Sequence, residues 1–88
     1  MDLGLTDKRA LVLGSTRGMG RGIAERLAAE GARVAVCGRK LADAEDVASG
    51  CEGAKAYSLD LSDPGSVQAV IDAVTGDFGG LDIVVCNG

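Results

Sequence analysis

Histidine and tryptophan are absent from this 88-residue chain, which has one tyrosine, one phenylalanine and one proline. Without histidine, the side chain that most often binds metals and moves protons near neutral pH is missing. The three cysteines, Cys37, Cys51 and Cys86, are far apart and form no Cys-x-x-Cys pair. They spell neither a zinc site nor a disulfide framework, and read as reduced thiols of a cytoplasmic protein. Basic residues are also scarce. Nine Lys and Arg face thirteen Asp and Glu, a net charge of −4, and no basic face for nucleic acid is visible. No stretch approaches the ~20 apolar residues of a membrane span. Met1 to Leu5 lack the basic start and apolar run of a signal peptide, so none is expected.

What remains is 47% hydrophobic and 25% charged, rich in Ala, Val and Gly. That composition suits one small domain of closely packed helices and sheet, near the lower size limit for a stable core. Leu11-Val12-Leu13-Gly14-Ser15-Thr16-Arg17-Gly18-Met19-Gly20 is an apolar run that breaks into glycines. An amphipathic pattern, Ile23, Ala24, Leu27 and Ala28, follows at once. Strand, glycine turn and helix start make a phosphate cradle. Glycines let the backbone approach the ligand, and the unpaired N–H groups of the first helical turn face the anion.

In chain order, Arg9 to Leu13 reads as strand one, and Gly18 to Glu30 as a helix that Gly31 stops. Arg33 to Cys37 is strand two, followed by a polar turn, Gly38-Arg39-Lys40, and a helix from about Lys40 to Ser49 that Gly50 or Gly53 ends. Ala54 to Leu59 is strand three. Ser62 or Asp63 caps the third helix, with Pro64 in its first turn. Val67, Val70, Ile71, Val74 and Phe78 give it the clearest helical period in the chain, and Gly79-Gly80 stops it. Leu81 to Cys86 is strand four. This β-α-β-α-β-α-β alternation predicts an α/β fold with a parallel sheet in the order 3-2-1-4. The unusual residues all fall at strand carboxyl ends, where such sheets bind ligands: Gly14 to Gly20, Gly38-Arg39, Asp60-Leu61 and Asn87-Gly88.

The glycine spacing, 14, 18 and 20, is neither G-x-G-x-x-G nor a P-loop. With Asp60-Leu61-Ser62 and the terminal Cys86-Asn87-Gly88, it resembles the short-chain dehydrogenases/reductases, and is nearest in flavour to their bacterial 3-oxoacyl-carrier-protein reductase-like branch. The resemblance covers the whole chain. It implies a Rossmann fold and an NAD(P)(H)-dependent oxidoreductase of small carbonyl or alcohol substrates, homo-oligomeric as a whole protein. By that resemblance, Gly14, Ser15, Thr16, Arg17, Gly18, Met19 and Gly20 line the cofactor loop. Asp60 holds the adenine amino group with Leu61 beside the ring, and Asn87 sits by the ribose. The sequence departs from the family pattern at two places. Leu13 stands where a Thr is usual, and in the terminal Asn-Asn-Ala-Gly motif Cys86 replaces the first Asn and Gly88 the Ala. If strands one and four are neighbours, an apolar contact replaces a polar one there.

The end of strand two points to NADP(H) over NAD(H). NAD sites place a carboxylate there for the ribose 2′-OH. Here the position is Gly38, followed by Arg39, with Arg17 in the glycine loop. A guanidinium suits the extra 2′-phosphate, and a cation at a helix start otherwise opposes the helix dipole. Asp43, Glu45 and Asp46 read as a solvated helix face, and Asp82 and the lone Tyr57 as structural.

The family's chemistry uses a Ser, an Asn and a Tyr with a Lys four residues on, in which the Tyr is the general acid/base. No Tyr-x-x-x-Lys occurs here. The catalytic residues are therefore expected beyond Gly88, and residues 1–88 read as the adenine-side half of a Rossmann domain that stops after strand four. On that reading the chain alone binds cofactor weakly and does not turn over. The alternative is a non-catalytic NADP(H)-binding module or an inactive truncated product. A methyltransferase with a similar first strand and helix accounts less well for Asp60 and Asn87 together.

Overall fold

The structure is a computed structural model that describes residues 7–14 and 18–86. Seven elements alternate along it. They are β1 (Arg9–Leu13), α1 (Gly18–Ala29), β2 (Arg33–Gly38), α2 (Leu41–Ser49), β3 (Lys55–Ser58), α3 (Pro64–Phe78) and β4 (Ile83–Cys86). The four strands form one sheet in the order β3-β2-β1-β4, every pair parallel.

The two faces of the sheet follow from the period of two along each strand. Leu11 and Leu13 of β1 and Ala35 and Cys37 of β2 join Val70, Val74 and Phe78 of α3 in one buried cluster. Val12, Val34 and Val36 point the other way and pack with Ala24 of α1 and Ala44 and Val47 of α2. Helices thus cover both faces, which is why β1 and β2 read as continuous apolar runs. Both aromatic residues, Tyr57 and Phe78, belong to the α3 side. The α1/α2 side is built of Ala, Val and other aliphatics, and small side chains let those helices sit close to the strands.

Local chemistry sets the element ends. Asp63, not Ser62, is the N-cap of α3: its Oδ1 accepts from the Gly65 N–H at 2.9 Å, and Pro64 occupies the first turn. Gly79 ends the same helix in the left-handed conformation at φ 78°, a place that favours glycine. Helix α2 starts at Leu41, with Lys40 as a cap that makes no side-chain bond, and ends at Gly50 rather than Gly53. β2 runs one residue further than expected, to Gly38, because Gly38 pairs with Ser58. β4 starts at Ile83, two residues later than expected. Before it, Asp82 is taken up by Arg9: its N–H donates to the Arg9 carbonyl, and its carboxylate accepts from the Arg9 N–H, Nε and Nη2. Arg9 Nη1 also donates to the Gly79 carbonyl at 2.9 Å. The guanidinium of Arg33, at the start of β2, lies 4.8 Å from the Phe78 ring centre. These contacts tie the end of α3 to the amino ends of β1 and β2 and leave the carboxyl ends for other work.

Candidate dinucleotide site

Three of the four strands deliver described residues to the carboxyl edge of the sheet. At the end of β1 the chain turns at Gly14, whose φ of 73° is left-handed. Ser15, Thr16 and Arg17 lie outside the described residues. Helix α1 begins at Gly18 and has no acidic residue in its first turn to compete for its N–H groups. Gly20 is buried within that turn. Met19 is the second residue of the helix.

At the end of β2, Gly38 is buried while Arg39 and Lys40 are exposed. The neighbouring strand holds this turn in place. The Leu59 N–H donates to the Gly38 carbonyl at 2.8 Å, and the Ser58 hydroxyl donates to the Arg39 carbonyl at 3.3 Å. No carboxylate stands at the end of β2.

Beyond β3, Leu59 turns into the core and Asp60 and Leu61 turn outward. Leu61 is among the most exposed large apolar side chains, at 46%. Asp60 is fixed by its surroundings. Its Oδ1 accepts from the Ser62 N–H at 3.0 Å and from the Ser62 hydroxyl at 2.6 Å, and its own N–H donates to Ser66 Oγ at 3.0 Å. The two bonds from Ser62, helped by the charge of Arg39, hold the Asp60 carboxyl below its usual range, so it is an anion and a pure acceptor at neutral pH. The serines around Asp60 are the part of this edge that sequence reasoning missed. The sequence offers Ser62 as a possible helix cap and as part of the Asp60-Leu61-Ser62 motif, without a hold on Asp60, although Asp-x-Ser spacing is itself a turn signal.

On the far side of β1, Leu13 and Cys86 are partners in the parallel register, so β1 and β4 are neighbours. Asn87 lies outside the described residues. The sheet thus brings Gly14, the start of α1, Arg39, Asp60 and Leu61 to one edge.

The other candidate residues take structural roles. Tyr57 donates to Asp77 Oδ2 at 2.8 Å, and burial with that bond pushes its phenol well above the ordinary range. Asp82 is paired with Arg9. Asp43, Glu45 and Asp46 are exposed, and Asp46 lies 3.9 Å from Arg21 of α1. An open groove of about 400 Å³ lined by Glu45, Ser49, Lys55, Tyr57 and Asp77 runs along the outer side of β3, away from the strand carboxyl ends. Cys37 and Cys51 are buried thiols outside any disulfide, and burial pushes Cys37 up to about 12. Among the described residues no group of His, Cys, Asp or Glu is arranged to hold a metal, and no helix is long and apolar enough to cross a membrane.

A parallel sheet in the order 3-2-1-4, helices on both faces and a glycine turn feeding α1 define a Rossmann-type α/β unit. Residues 8–88 match the short chain dehydrogenase family, and the chain belongs to that family. It is 43% identical over 84 residues to galactitol 2-dehydrogenase of Agrobacterium fabrum, covering 94% of this chain and 33% of that protein. It is 38% identical over 86 residues to a 3-oxoacyl-(acyl-carrier-protein) reductase of Vibrio cholerae, covering 97% of this chain and 35% of that protein. Among solved structures, the L-sorbose reductase of Gluconobacter frateurii complexed with NADPH and L-sorbose superposes with a TM-score of 0.93 at 33% identity, covering all of this chain and 35% of that one. The 3-ketoacyl-(acyl-carrier-protein) reductase of Brucella melitensis complexed with NADH gives 0.85 at 38% identity, covering 91% and 33%. The chain therefore spans about a third of the length of these relatives.

Proposed function

We propose that residues 1–88 form the adenine-side part of an NADP(H)-dependent oxidoreductase acting on carbonyl or alcohol substrates. Gly14 to Gly20 cradle the pyrophosphate, Asp60 accepts from the adenine amino group, Leu61 covers the ring and Asn87 meets the ribose. The bound dinucleotide supplies hydride transfer. The residues of this chain bind and orient its adenine end, and the acid/base group for the substrate lies outside them.

The observation that carries the reading is the end of β2. Gly38 offers no carboxylate to a ribose 2′-OH, and the exposed Arg39 beside it is held by Ser58. A guanidinium there favours a 2′-phosphate dianion, which a carboxylate would repel. The residues present fit the group: an N-terminal helical turn without acid, a cation and an outward carboxylate all share one edge. NADPH is expected to bind more tightly than NADH, and Arg39→Ala to weaken NADPH by about tenfold while sparing NADH. Equal affinities, or no loss in the variant, would sink the NADP(H) preference. The second reading, a cofactor-binding module without catalysis, keeps the same site and differs only in lacking turnover.

A further inference from the structure

We propose that Ser62 is a positioning residue that sets Asp60 as a base-selecting acceptor, favouring a 6-amino purine over a 6-oxo purine. The inference rests on the cofactor reading above and deepens it. Ser62 itself touches no ligand in this scheme and acts through Asp60.

The geometry leaves Asp60 little freedom. Its backbone is pinned on both sides, with the N–H donating to Ser66 Oγ at 3.0 Å and the carbonyl accepting from the Asp63 N–H at 3.0 Å. Its side chain is pinned as well, because Oδ1 takes both donors of Ser62. With Oδ1 engaged on Ser62, the carboxylate plane is set. Oδ2 has no hydrogen-bond partner among the described residues, and the residue is exposed. Its lone pairs can accept from an exocyclic amine and can only repel an exocyclic oxygen. Selection by an acceptor needs the anion, because a protonated carboxyl could donate to a 6-oxo group. The Ser62 bonds favour the ionised form. Ser66 belongs to the first turn of α3, so that helix, capped by Asp63, fixes the height of Asp60 on the sheet edge. Leu61, exposed beside it, offers apolar surface for a ring.

The test uses the full chain and two small probes, adenosine 2′,5′-bisphosphate and its inosine counterpart, titrated by ligand-observed NMR. The wild type is expected to prefer the adenine probe by about tenfold, and Ser62→Ala to cut that preference about threefold with the inosine probe unchanged. Ser62→Thr, which keeps the hydroxyl, is expected to retain it. Asp60→Asn, whose amide can donate, is expected to abolish or reverse it. Equal weakening of both probes by Ser62→Ala, or an unchanged ratio, overturns the inference. Wild-type binding without base preference overturns it while leaving the cofactor reading standing. Failure of the wild type to bind either probe removes both. Should Ser62→Ala not fold, the other two variants decide: loss of the preference in Ser62→Thr, or its full retention in Asp60→Asn, overturns the proposal.

Discussion

Leu13 and Cys86 are partners in the backbone register of the parallel β1–β4 pair. Leu13 is 5% exposed and packs in the cluster that holds Leu11, Cys37 and Leu59. These are the two positions where the chain leaves the polar pattern usual in its family. An apolar residue at 13 is therefore a core residue here, and restoring only one polar partner would bury an unmatched hydroxyl. Leu13→Thr is expected to lower unfolding stability in urea by roughly 2 kcal/mol. Adding Cys86→Asn is expected to recover about 1 kcal/mol through a new pair. Strictly additive losses would show that the two positions do not interact.

At the opposite edge, the guanidinium of Arg9 holds the Asp82 carboxyl down at about 2, through its side-chain and backbone hydrogen bonds first and its charge second. The unfolded value is 3.8. A depressed carboxyl binds fewer protons folded than unfolded, so stability is full above the unfolded value and falls as pH drops toward 2. Both side chains are about a third exposed, so salt will screen part of the effect. Asp82→Asn is expected to flatten the stability profile between about pH 4 and pH 2. An unchanged slope in thermal melts across that window would show that the pair carries no linkage.

The framework was legible in the sequence where periodicity and chain punctuation agree. Pro64 and Gly79 bracket α3, and its Val70, Val74 and Phe78 are buried as their spacing predicts. The alternation of elements was enough for the strand order, because parallel crossovers admit few topologies. Ends were less legible because they depend on partners distant in sequence. Asp82 leaves β4 for Arg9, 73 residues away, and Gly38 stays in β2 because Ser58 lies beside it. The site shows the same division. Asp60 and Arg39 could be picked from their places at strand ends. The hold of Ser62 on Asp60 and of Ser58 on Arg39 needed the folded loops. Ser15 to Arg17 and Asn87, singled out from the sequence, lie outside the described residues.

Tyr57 gives a second pH prediction with its own optical signal, because the chain has one tyrosine and no tryptophan. Burial raises its phenol first, and the hydrogen bond and charge of Asp77 add to that. The ordinary value is 10.0. Above it the unfolded chain loses the phenolic proton before the folded one does, so the folded state binds more protons and stability falls as pH rises. The tyrosinate absorbance of the folded chain is expected to lag well behind that of the urea-unfolded chain. Asp77→Asn should narrow the gap without closing it, since burial remains. Coincident titration curves would contradict the half-buried, hydrogen-bonded phenol.

Gly38 offers the most direct challenge to the cofactor preference. It closes β2 and is buried in its pairing with Ser58, with Arg39 turned outward just after it. A carboxylate at this position would meet a ribose 2′-OH as an acceptor and a 2′-phosphate as a like charge. Gly38→Asp is therefore expected to weaken NADPH by about tenfold or more and to spare or improve NADH. A β-carbon in the strand also adds bulk, so stability must be measured beside affinity. The charge argument predicts a change in the NADPH-to-NADH ratio, whereas crowding alone predicts equal losses. Gly38→Asn separates the two: similar in size and uncharged, it should keep most of the NADPH preference. If Asn and Asp shift the ratio equally, repulsion is not the cause, and the end of β2 does not choose the cofactor by charge.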